Sequence, residues 1–282
     1  MNSKSITKNK GLAGRFFKAA FLDCDGEASR KLITDEYIQH NPIVPSGAQA
    51  FVELVSVLKE QDMRFSNHRL IADEKYIVSH NAVENVPITG FQNVVTFDVW
   101  RIEGGKLAEH WDNVTEHLAR TNPSGHTQTD GFKDLVDLDK TEANKALVLD
   151  FVRTVLIEGT HSRFADYVSP DVYQHNMKMT DGLDAWKASL TIGAENISYD
   201  KLHLCVAECN FVFTISEGSI GDKAMSFYDL LRVDDSETSN LSAVGPVRSS
   251  ETAPVEIADG FYGPAPLERH FDGKVYWLAY WN

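Results

Sequence analysis

The sequence predicts an α+β protein in which helices pack on one face of a curved antiparallel sheet, and it predicts this arrangement twice along the chain. The first observation is an internal repeat, and the second is the order within each copy, with helical patterns first and β-rich runs last. The third is the pair Gly104-Gly105 between two β-rich runs, which is typical of a two-residue hairpin turn.

The repeat has a nearly constant spacing. His175 follows His40 by 135 positions (175 − 40), and the triplet Gln-His-Asn surrounds both histidines. The run "YDLLRV" follows "FDVWRI" by 131 positions (228 − 97), because the first copy has a longer preceding connection. The 135-residue offset also relates Gly47 to Gly182, Ala50 to Ala185, Phe51 to Trp186 and His68 to His203. These matches predict a duplicated fold.

Each copy has the same order of predicted elements. An amphipathic helix comes first, followed by a short helical or irregular piece that ends in the Gln-His-Asn triplet, a further helix and several strands. The predicted helices are 11–22 and 48–59 in the first copy, and 142–158 and 182–191 in the second. The strands of the first copy are predicted in the runs "RLIADEKYIVSHNAVEN", "VVTFDVWRI" and "LAEHWDNV".

The two copies define two domains, 1–135 and 136–282. Between them lies a stretch rich in Gly, Pro, Ser, Thr and Asp, which is typical of a linker. The second copy departs from the first after "YDLLRV", where residues 234–260 are polar and predicted as a loop. We interpret 234–270 as a divergent or inserted hairpin, and 275–281 either as a displaced final strand or as unrelated sequence.

The hairpin predicts a shared face for two chemically active side chains. If Glu103 pairs with Lys106, counting back places Val99 opposite His110 and Phe97 opposite Asp112. His110 and Asp112 then lie two residues apart on one face, while Trp100 and Asp98 lie on the other. A buried carboxylate beside an imidazole suits proton transfer, although the pair could also only satisfy itself at a sheet edge.

The Gln-His-Asn triplets have two interpretations. Imidazole and carboxamide groups could orient a ligand oxygen, or the asparagine could bond its own backbone at a structural corner. We favour a cavity position for His40 and a structural role for Asn41, with His175 and Asn176 as their counterparts. His80, whose counterpart is Ile215, is predicted either at the cavity or at a tolerant surface site.

Composition excludes several partner classes. The formal net charge of −14 argues against nucleic acid and anionic membranes, which require basic surfaces. The sequence has no apolar stretch of membrane-spanning length, and its three cysteines form no metal-binding or disulfide pattern. We therefore expect a cytoplasmic protein without a metal or cofactor.

The segments "YIQHNP", "FDVWRIEGGKLAEHWDN" and "NPSGHT…DLDKTEANKAL" resemble the SnoaL-like proteins of the nuclear-transport-factor-two-like (NTF2-like) superfamily. The resemblance covers about residues 11–233, twice over, and implies two cone-shaped domains, each with a cavity between helices and sheet. Its members include polyketide cyclases, ketosteroid isomerases and epoxide hydrolases, and also proteins that only bind a ligand. The family pairs through its sheets, so we expect an intramolecular pseudo-dimer that is a monomer or a weak homodimer.

With this resemblance, the sequence predicts a cofactor-free acid–base enzyme for a small apolar carbonyl compound, of aldol or isomerisation type, working in the first domain. The alternative is a non-catalytic protein that binds a small hydrophobic metabolite, and a third possibility is epoxide-type hydrolysis. The predicted catalytic residues are Asp112, His110 and Asp98, with either aspartate as the acid or base. The predicted substrate-binding residues are His40, Asn41, His80, Trp100, Phe97, His175 and Asn176.

Overall fold

The structure, a computed structural model, describes residues 3–191, 197–234 and 240–248. These residues form two compact units with the division between His117 and Leu118. Each unit contains helices and one sheet, which confirms the predicted α+β class.

The first unit holds its helices at the start of the chain, as predicted. Its helical elements are α1 (Ser3–Phe17) with a π-helical continuation (Lys18–Leu22), α2 (Gly26–Arg30), α3 (Ala48–Glu60) and a 3-10 turn (Pro87–Thr89). Its strands are β1 (Ile33–Gln39), β2 (Arg64–Ala72), β3 (Tyr76–Glu84), β4 (Asn93–Glu103) and β5 (Lys106–Glu116). The sheet has the order β1-β5-β4-β3-β2.

Strand β1 was not predicted, because the stretch before the first triplet was interpreted as helical or irregular. It pairs in parallel with β5, whereas β2 to β5 form the predicted antiparallel meander. Ile33, Tyr37 and Gln39 are buried and alternate with more exposed neighbours, so the segment has the period of a strand. This edge strand brings the first triplet beside β5.

Aromatic side chains fill the space between the helices and the first sheet. The Phe16 ring of α1 lies 5.8 Å from the Trp100 ring of β4 and 5.3 Å from the Phe51 ring of α3, centroid to centroid. All three side chains are buried. Because aromatic rings in edge or tilted contact stabilise a core beyond their area, this cluster fixes α1 and α3 over one face of the sheet.

The second unit also has its helical elements before its strands, although no strand is assigned in the place of β1 among its described residues. Its helical elements are α4 (Thr141–Phe151) with a π-helical continuation (Val152–Ile157), a 3-10 helix (His161–Asp166) and α5 (Leu183–Thr191). Its strands are β6 (Ile197–Glu208), β7 (Phe211–Ile220), β8 (Lys223–Asp234) and β9 (Asn240–Arg248), antiparallel in the order β6-β7-β8-β9.

Strand β9 corrects the prediction of a loop for residues 240–248, while residues 235–239 and 249–260 lie outside the described residues. It pairs antiparallel with β8, from Phe227↔Arg248 to Asp234↔Asn240. The edge of β8 offers a row of backbone N–H and C=O groups, and backbone pairing of this kind tolerates a polar sequence. The proposed displaced strand at 275–281 lies outside the described residues.

The division into units also differs from the predicted domain boundary at residue 136. The linker packs on the second unit: the Asn122 side chain donates to the Gln174 carbonyl (2.6 Å), and His126 Nε2 lies 2.9 Å from an Asp181 carboxylate oxygen. These polar contacts place residues after Leu118 with the second unit, whereas composition alone suggested a free connection.

The two triplets form the same local turn. Gly47 N donates to Tyr37 O, and Gly182 N donates to Val172 O at the same offset. In each triplet the asparagine side chain accepts a hydrogen bond from the backbone N–H two residues later, at 2.8 Å for Asn41 and 3.0 Å for Asn176. The repeated turn explains why the triplet recurs, and common descent of the two halves stays a prediction.

Candidate active site

The β4–β5 hairpin has a different register from the predicted one. Gly104 and Gly105 form the turn with φ of +58° and +81°, and Glu103 faces Lys106 as expected. Beyond the turn, however, Ile102 pairs with Leu107 and Arg101 with Glu109, so Ala108 is an extra residue in β5.

This bulge shifts every later pair by one position. Asp98 faces Asp112 and Trp100 faces His110, so the predicted pairs Val99–His110 and Phe97–Asp112 are wrong. All four side chains therefore lie on one face of the sheet, which includes the two that the predicted register assigned to the opposite face.

That face forms one wall of a cavity of about 120 Å³ beneath the helices. The cavity is apolar over most of its wall and polar at one end. The apolar lining includes Phe16, Phe21, Phe51, Leu54, Leu58, Met63, Phe65, Val83, Val86, Val94 and Val114, and the polar lining includes Tyr37, Gln39, Asn41, Thr96, Asp98, Trp100, His110 and Asp112. The asymmetry fits a ligand with one polar end.

Asp98 is held by three side chains. Asn81 Nδ2 donates to Oδ2 at 2.7 Å, and the Thr96 hydroxyl donates to the same oxygen. His110 Nε2 lies 3.0 Å from Oδ1. Both carboxylate oxygens of Asp98 therefore already have protein partners, and the group fixes the orientation of its neighbours.

His110 is fixed on both sides. Its Nδ1 lies 2.9 Å from Gln39 Oε1, and its ring stacks on Trp100 with centroids 4.9 Å apart and planes inclined by 22°. The side chain is buried. The imidazole therefore has one orientation, with its Nε2 edge toward Asp98.

Asp112 differs from Asp98 in having a single side-chain donor, Asn41 Nδ2, at 2.6 Å from Oδ2. Burial raises the pKa of Asp112 to about 6, with a smaller rise from the Asp98 charge, while His110 and Asn41 act in the opposite direction. A carboxyl group with this pKa takes up and releases a proton near neutral pH, which is what proton transfer requires.

Two polar atoms in the cavity wall have no hydrogen-bond partner among the described residues: the Tyr37 hydroxyl and the Trp100 indole N–H. Burial, together with the charges of Asp98 and Asp112, raises the pKa of Tyr37 well above its usual value, so the hydroxyl keeps its proton. The nearby Trp100 indole N–H partly opposes this rise in the Tyr37 pKa. The indole N–H and the Tyr37 hydroxyl are nevertheless not placed in hydrogen-bond geometry. Buried donors without partners are uncommon and suit a ligand acceptor.

The three titratable side chains also form a possible metal site within the described residues. Asp98, His110 and Asp112 place one ligand atom each within 4.8 Å of one another. Histidine with carboxylates can bind a divalent cation. In this structure, however, Asp98 and His110 already bond each other and both have further protein partners.

Of the predicted binding residues, Asn41 and Trp100 line the cavity, whereas His40, His80 and Phe97 lie on the opposite face of the sheet. His40 Nε2 lies 2.7 Å from Glu109 Oε1, and its ring stacks on Trp111. The preference for His40 over Asn41 as the cavity residue is wrong, because alternation along the extended chain points residues 39 and 41 to one side and residue 40 to the other.

His80 and Phe97 stack on each other with centroids 4.6 Å apart, and Arg69 Nη1 lies 3.1 Å from His80 Nδ1. Both side chains are buried. This placement does not support the prediction that His80 and Phe97 line the cavity. The bulge at Ala108 and the β3–β4 register put both side chains on the face of the sheet opposite Asp112.

His175 and Asn176 belong to the second unit, where they stabilise the turn that holds the linker. His175 Nδ1 lies 2.9 Å from the Thr127 carbonyl oxygen. Asp229, the counterpart of Asp98, accepts a hydrogen bond from the Tyr199 hydroxyl at 3.2 Å, and the Tyr199 ring stacks on Phe227 at 4.2 Å. In the second unit, the hydroxyl group of Tyr199 is therefore a protein donor to the buried carboxylate of Asp229.

Sequence reasoning missed four residues of the site: Tyr37, Gln39, Asn81 and Thr96. The alternation of Asn81 with Ser79, and of Thr96 with Asp98, is a polar pattern along β3 and β4 that could have indicated them. Tyr37 and Gln39 could have been found only if β1 had been recognised as a strand, because alternation along the strand then puts their side chains on the same face as Asn41.

The raised pKa of Asp112 predicts a pH-dependent stability. The folded-state pKa lies above that of the unfolded chain, so folding favours the protonated form, and this contribution is complete below about pH 4 and is lost as the pH rises through about 6. Asp112→Asn resembles the protonated form, and we expect it to raise the free energy of unfolding by about 3 kcal/mol at high pH and by little at low pH. Urea denaturation at pH 4 and pH 8 measures the difference.

The matched control for that experiment is Asp35→Asn, an exposed aspartate of the same unit whose nearest cation, Arg30, is 3.7 Å away. It should change stability little at either pH. Equal stability of Asp112→Asn and the wild type at pH 8 would contradict the assignment of Asp112 as a buried carboxyl group of raised pKa.

Comparison with known protein families finds one similarity. Residues 13–110, which carry α1, β1 and the strands as far as His110, match the model of the SnoaL-like domain. The match covers less than half of the chain, and over these residues the protein is similar to SnoaL-like domains. A sequence comparison with curated proteins finds no match.

Several solved structures match less than half of this chain and most of their own length. TsrD from Streptomyces laurentii shares 20% identity over 40% of this chain and 90% of its own, with a TM-score of 0.33. An LEH-like epoxide hydrolase from M. tuberculosis shares 14% over 39% and 84%, with a TM-score of 0.32. The epoxide hydrolase/cyclase-like enzyme SalBIII shares 18% over 38% and 89%, with a TM-score of 0.33.

At these identities the activity has to be argued from the site itself. Among the residues that the structure describes, no helix is both long and apolar enough to cross a membrane.

Proposed function

We propose that the first unit is a cofactor-free acid–base enzyme that acts on a small, uncharged and largely apolar carbonyl compound. The observation that carries the proposal is the position of Asp112, a carboxyl group with a pKa of about 6, at the polar end of an apolar cavity whose unpartnered donors suit a ligand oxygen. Acid–base work on a carbon next to a carbonyl group needs these two features together.

Asp112 is the group that moves the proton in this proposal, and Asp98 is not. Asp98 accepts hydrogen bonds from Asn81 and Thr96 and lies 3.0 Å from His110 Nε2, so both of its oxygens already have protein partners. Asp112 has one side-chain donor and a raised pKa. The sequence left both aspartates open, and the hydrogen bonds favour Asp112.

The Tyr37 hydroxyl and the Trp100 N–H are proposed to bind the carbonyl oxygen. Both are buried donors without a partner in the described part of the chain, and both line the cavity with Asp112. As the α-proton leaves, negative charge develops on that oxygen. Donors that are already oriented stabilise this charge without reorganisation, which lowers the barrier to enolate formation.

The reaction then balances without an external reagent. The Asp112 carboxylate takes a proton from the carbon next to the carbonyl group, and the C–H electron pair becomes the enolate. In an isomerisation, the Asp112 carboxyl group returns the proton at another carbon. In an aldol closure, the enolate carbon bonds to a second carbonyl carbon, and the new alkoxide receives the proton.

The charge of the wall indicates an uncharged substrate. Among the described residues that line the cavity there is no lysine or arginine, while two carboxylates lie at its polar end. An anionic ligand would lose its hydration and face like charges. A ligand that offers one neutral acceptor oxygen and an apolar body meets the wall without such a penalty.

This charge argument predicts a preference between two ligands of similar shape. We expect the ketone 1-indanone to bind at least about tenfold more tightly than indane-1-carboxylate, a difference of about 1.4 kcal/mol. Quenching of tryptophan fluorescence, with Trp100 in the cavity wall, follows the binding. Equal or tighter binding of the carboxylate at neutral pH would refute the proposal of an uncharged substrate.

The second candidate is a non-catalytic protein that binds a hydrophobic metabolite, which the apolar lining alone would also explain. Turnover separates the two. A panel of neutral ketones is incubated with the wild type, and proton exchange next to the carbonyl is followed by NMR. Binding of several ketones with no exchange in any of them would favour the binding protein, and opening of an epoxide panel would favour hydrolysis.

The second unit is proposed to contribute structure and not a second reaction. Asp229 is the counterpart of Asp98 in this unit. The Tyr199 hydroxyl donates to Asp229 and so lies where a ligand donor would have to bind. We further propose that the chain works in the cytoplasm as an intramolecular pseudo-dimer. Sedimentation analysis would show a monomer or weak homodimer, and a tight higher oligomer would contradict this.

A further inference from the structure

We propose that Gln39 is a positioning residue that keeps a proton on Nδ1 of His110, so that His110 acts as a proton-bearing partner of Asp98 and Asp112 acts as the base. The contribution of Gln39 to catalysis rests on the function proposed above, whereas the position of the proton is a separate and directly measurable property of the folded chain.

The orientation of the Gln39 carboxamide follows from a backbone group. The Asn41 N–H donates to Gln39 Oε1 at 3.2 Å, and a backbone N–H can only donate. The atom it meets is therefore the carboxamide oxygen and not the nitrogen, which removes the usual ambiguity between the two. Gln39 is 4% exposed, so water competes little for this oxygen.

The same oxygen determines the state of the imidazole. Gln39 Oε1 lies 2.9 Å from His110 Nδ1, and because the oxygen is an acceptor, Nδ1 carries the hydrogen. A nitrogen that carries a hydrogen and donates it has no lone pair to take a proton from a substrate. Nδ1 is thereby excluded as a catalytic base.

The other ring nitrogen also faces an acceptor. His110 Nε2 lies 3.0 Å from Asp98 Oδ1, while Oδ2 of Asp98 is used by Asn81 and Thr96. The His110–Asp98 pair therefore shares a proton on that side. Among the described residues, the titratable groups that line the cavity with His110 are Asp98 from β4, Asp112 from β5 and the Tyr37 hydroxyl from β1.

The second unit provides an internal comparison. Gln174 occupies the equivalent place and is fully buried, yet neither atom of its carboxamide has a hydrogen-bond partner among the described residues. Both units therefore have a glutamine at this place in the same local turn, while its bond to an imidazole is found in the first unit, beside Asp112. This difference indicates that the bond serves the site and is not a requirement of the turn.

The test is nitrogen-15 NMR of the full-length chain labelled in histidine, with His110 identified by the loss of its signals in His110→Asn. At neutral pH we expect a hydrogen-bonded proton on Nδ1 of the wild type and of Gln39→Glu, whose carboxylate can accept the same bond. Gln39→Leu should lose that signal. In ketone turnover, Gln39→Leu should lower kcat at least about tenfold with little change in KM. Gln39→Glu should retain most of the wild-type kcat.

A wild-type His110 without a proton on Nδ1 would overturn the inference, and so would a Gln39→Leu variant that folds and keeps both the signal and kcat. If the NMR result is as expected but the wild type exchanges no ketone proton, the proposed function fails while the assigned proton position stands. Circular dichroism confirms that each variant is folded, and Gln39→Met serves if the leucine variant is not.

Discussion

Asp112→Asn is expected to abolish most proton transfer while leaving ligand binding intact. An asparagine can still accept the hydrogen bond from Asn41, which is 2.6 Å in the wild type, so the shape of the cavity is retained. It cannot take up a proton, and loss of a general base lowers rates by about 10²–10⁴-fold. The exchange rate of the ketone α-proton measures kcat, and fluorescence quenching measures binding.

The matched control is Asp229→Asn in the second unit. Asp229 is a buried aspartate on the equivalent strand, and an asparagine there can still accept from the Tyr199 hydroxyl. Turnover should be unchanged. A variant Asp112→Asn that retains wild-type exchange, or an Asp229→Asn that loses it, would place the reaction elsewhere. Exchange should also persist with EDTA, and its loss would instead indicate a metal at Asp98, His110 and Asp112.

Tyr37→Phe is expected to combine a large loss of activity with no loss of stability. Removing a donor to a developing oxyanion lowers kcat by about 10²-fold or more. The hydroxyl has no protein partner in the described part of the chain, so its removal breaks no hydrogen bond and relieves a buried polar group. Exchange kinetics and urea denaturation of the same preparation test both halves of the expectation.

Tyr199→Phe is the contrasting variant. Its hydroxyl donates to Asp229, so we expect a loss of stability of about 1 kcal/mol and no change in turnover. If Tyr37→Phe destabilised the protein as much as Tyr199→Phe while turnover stayed unchanged, the Tyr37 hydroxyl would be a structural group and not a ligand donor.

The general arrangement of the fold was predictable from the sequence because it depends on patterns that many residues share. Helical spacing gave α1, α3, α4 and α5, and the glycine pair gave the β4–β5 turn. These features tolerate an error of a residue or two without changing the fold class. The SnoaL-like resemblance rested on the same segments, and the family match agrees with it over residues 13–110, while its extension to the second copy stays a prediction.

The site was only partly predictable because it depends on single residues. Ala108 adds one residue to β5, and this bulge moves Asp98 and Trp100 to the face of Asp112. A bulge leaves no mark in an alternating pattern, so counting from the turn led to the wrong pairs. Likewise, the unpredicted strand β1 exchanged the sides of His40 and Asn41.

The wrong prediction of a loop at strand β9 had a different cause. Its sequence, "NLSAVGPVR", contains Gly and Pro and has no simple alternation, so local pattern indicated a loop. Its pairing with β8 is a contact between segments that sequence periodicity does not record.

The pH dependence of ketone proton exchange tests the central claim most directly. In D₂O, the wild type should introduce deuterium next to the carbonyl of 1-indanone, and the rate should rise with pH through an inflection near the Asp112 pKa of about 6. Asp112→Asn should show neither the rate nor the inflection. An inflection that persists in Asp112→Asn, or a bound ketone that the wild type does not exchange at any pH, would contradict the account.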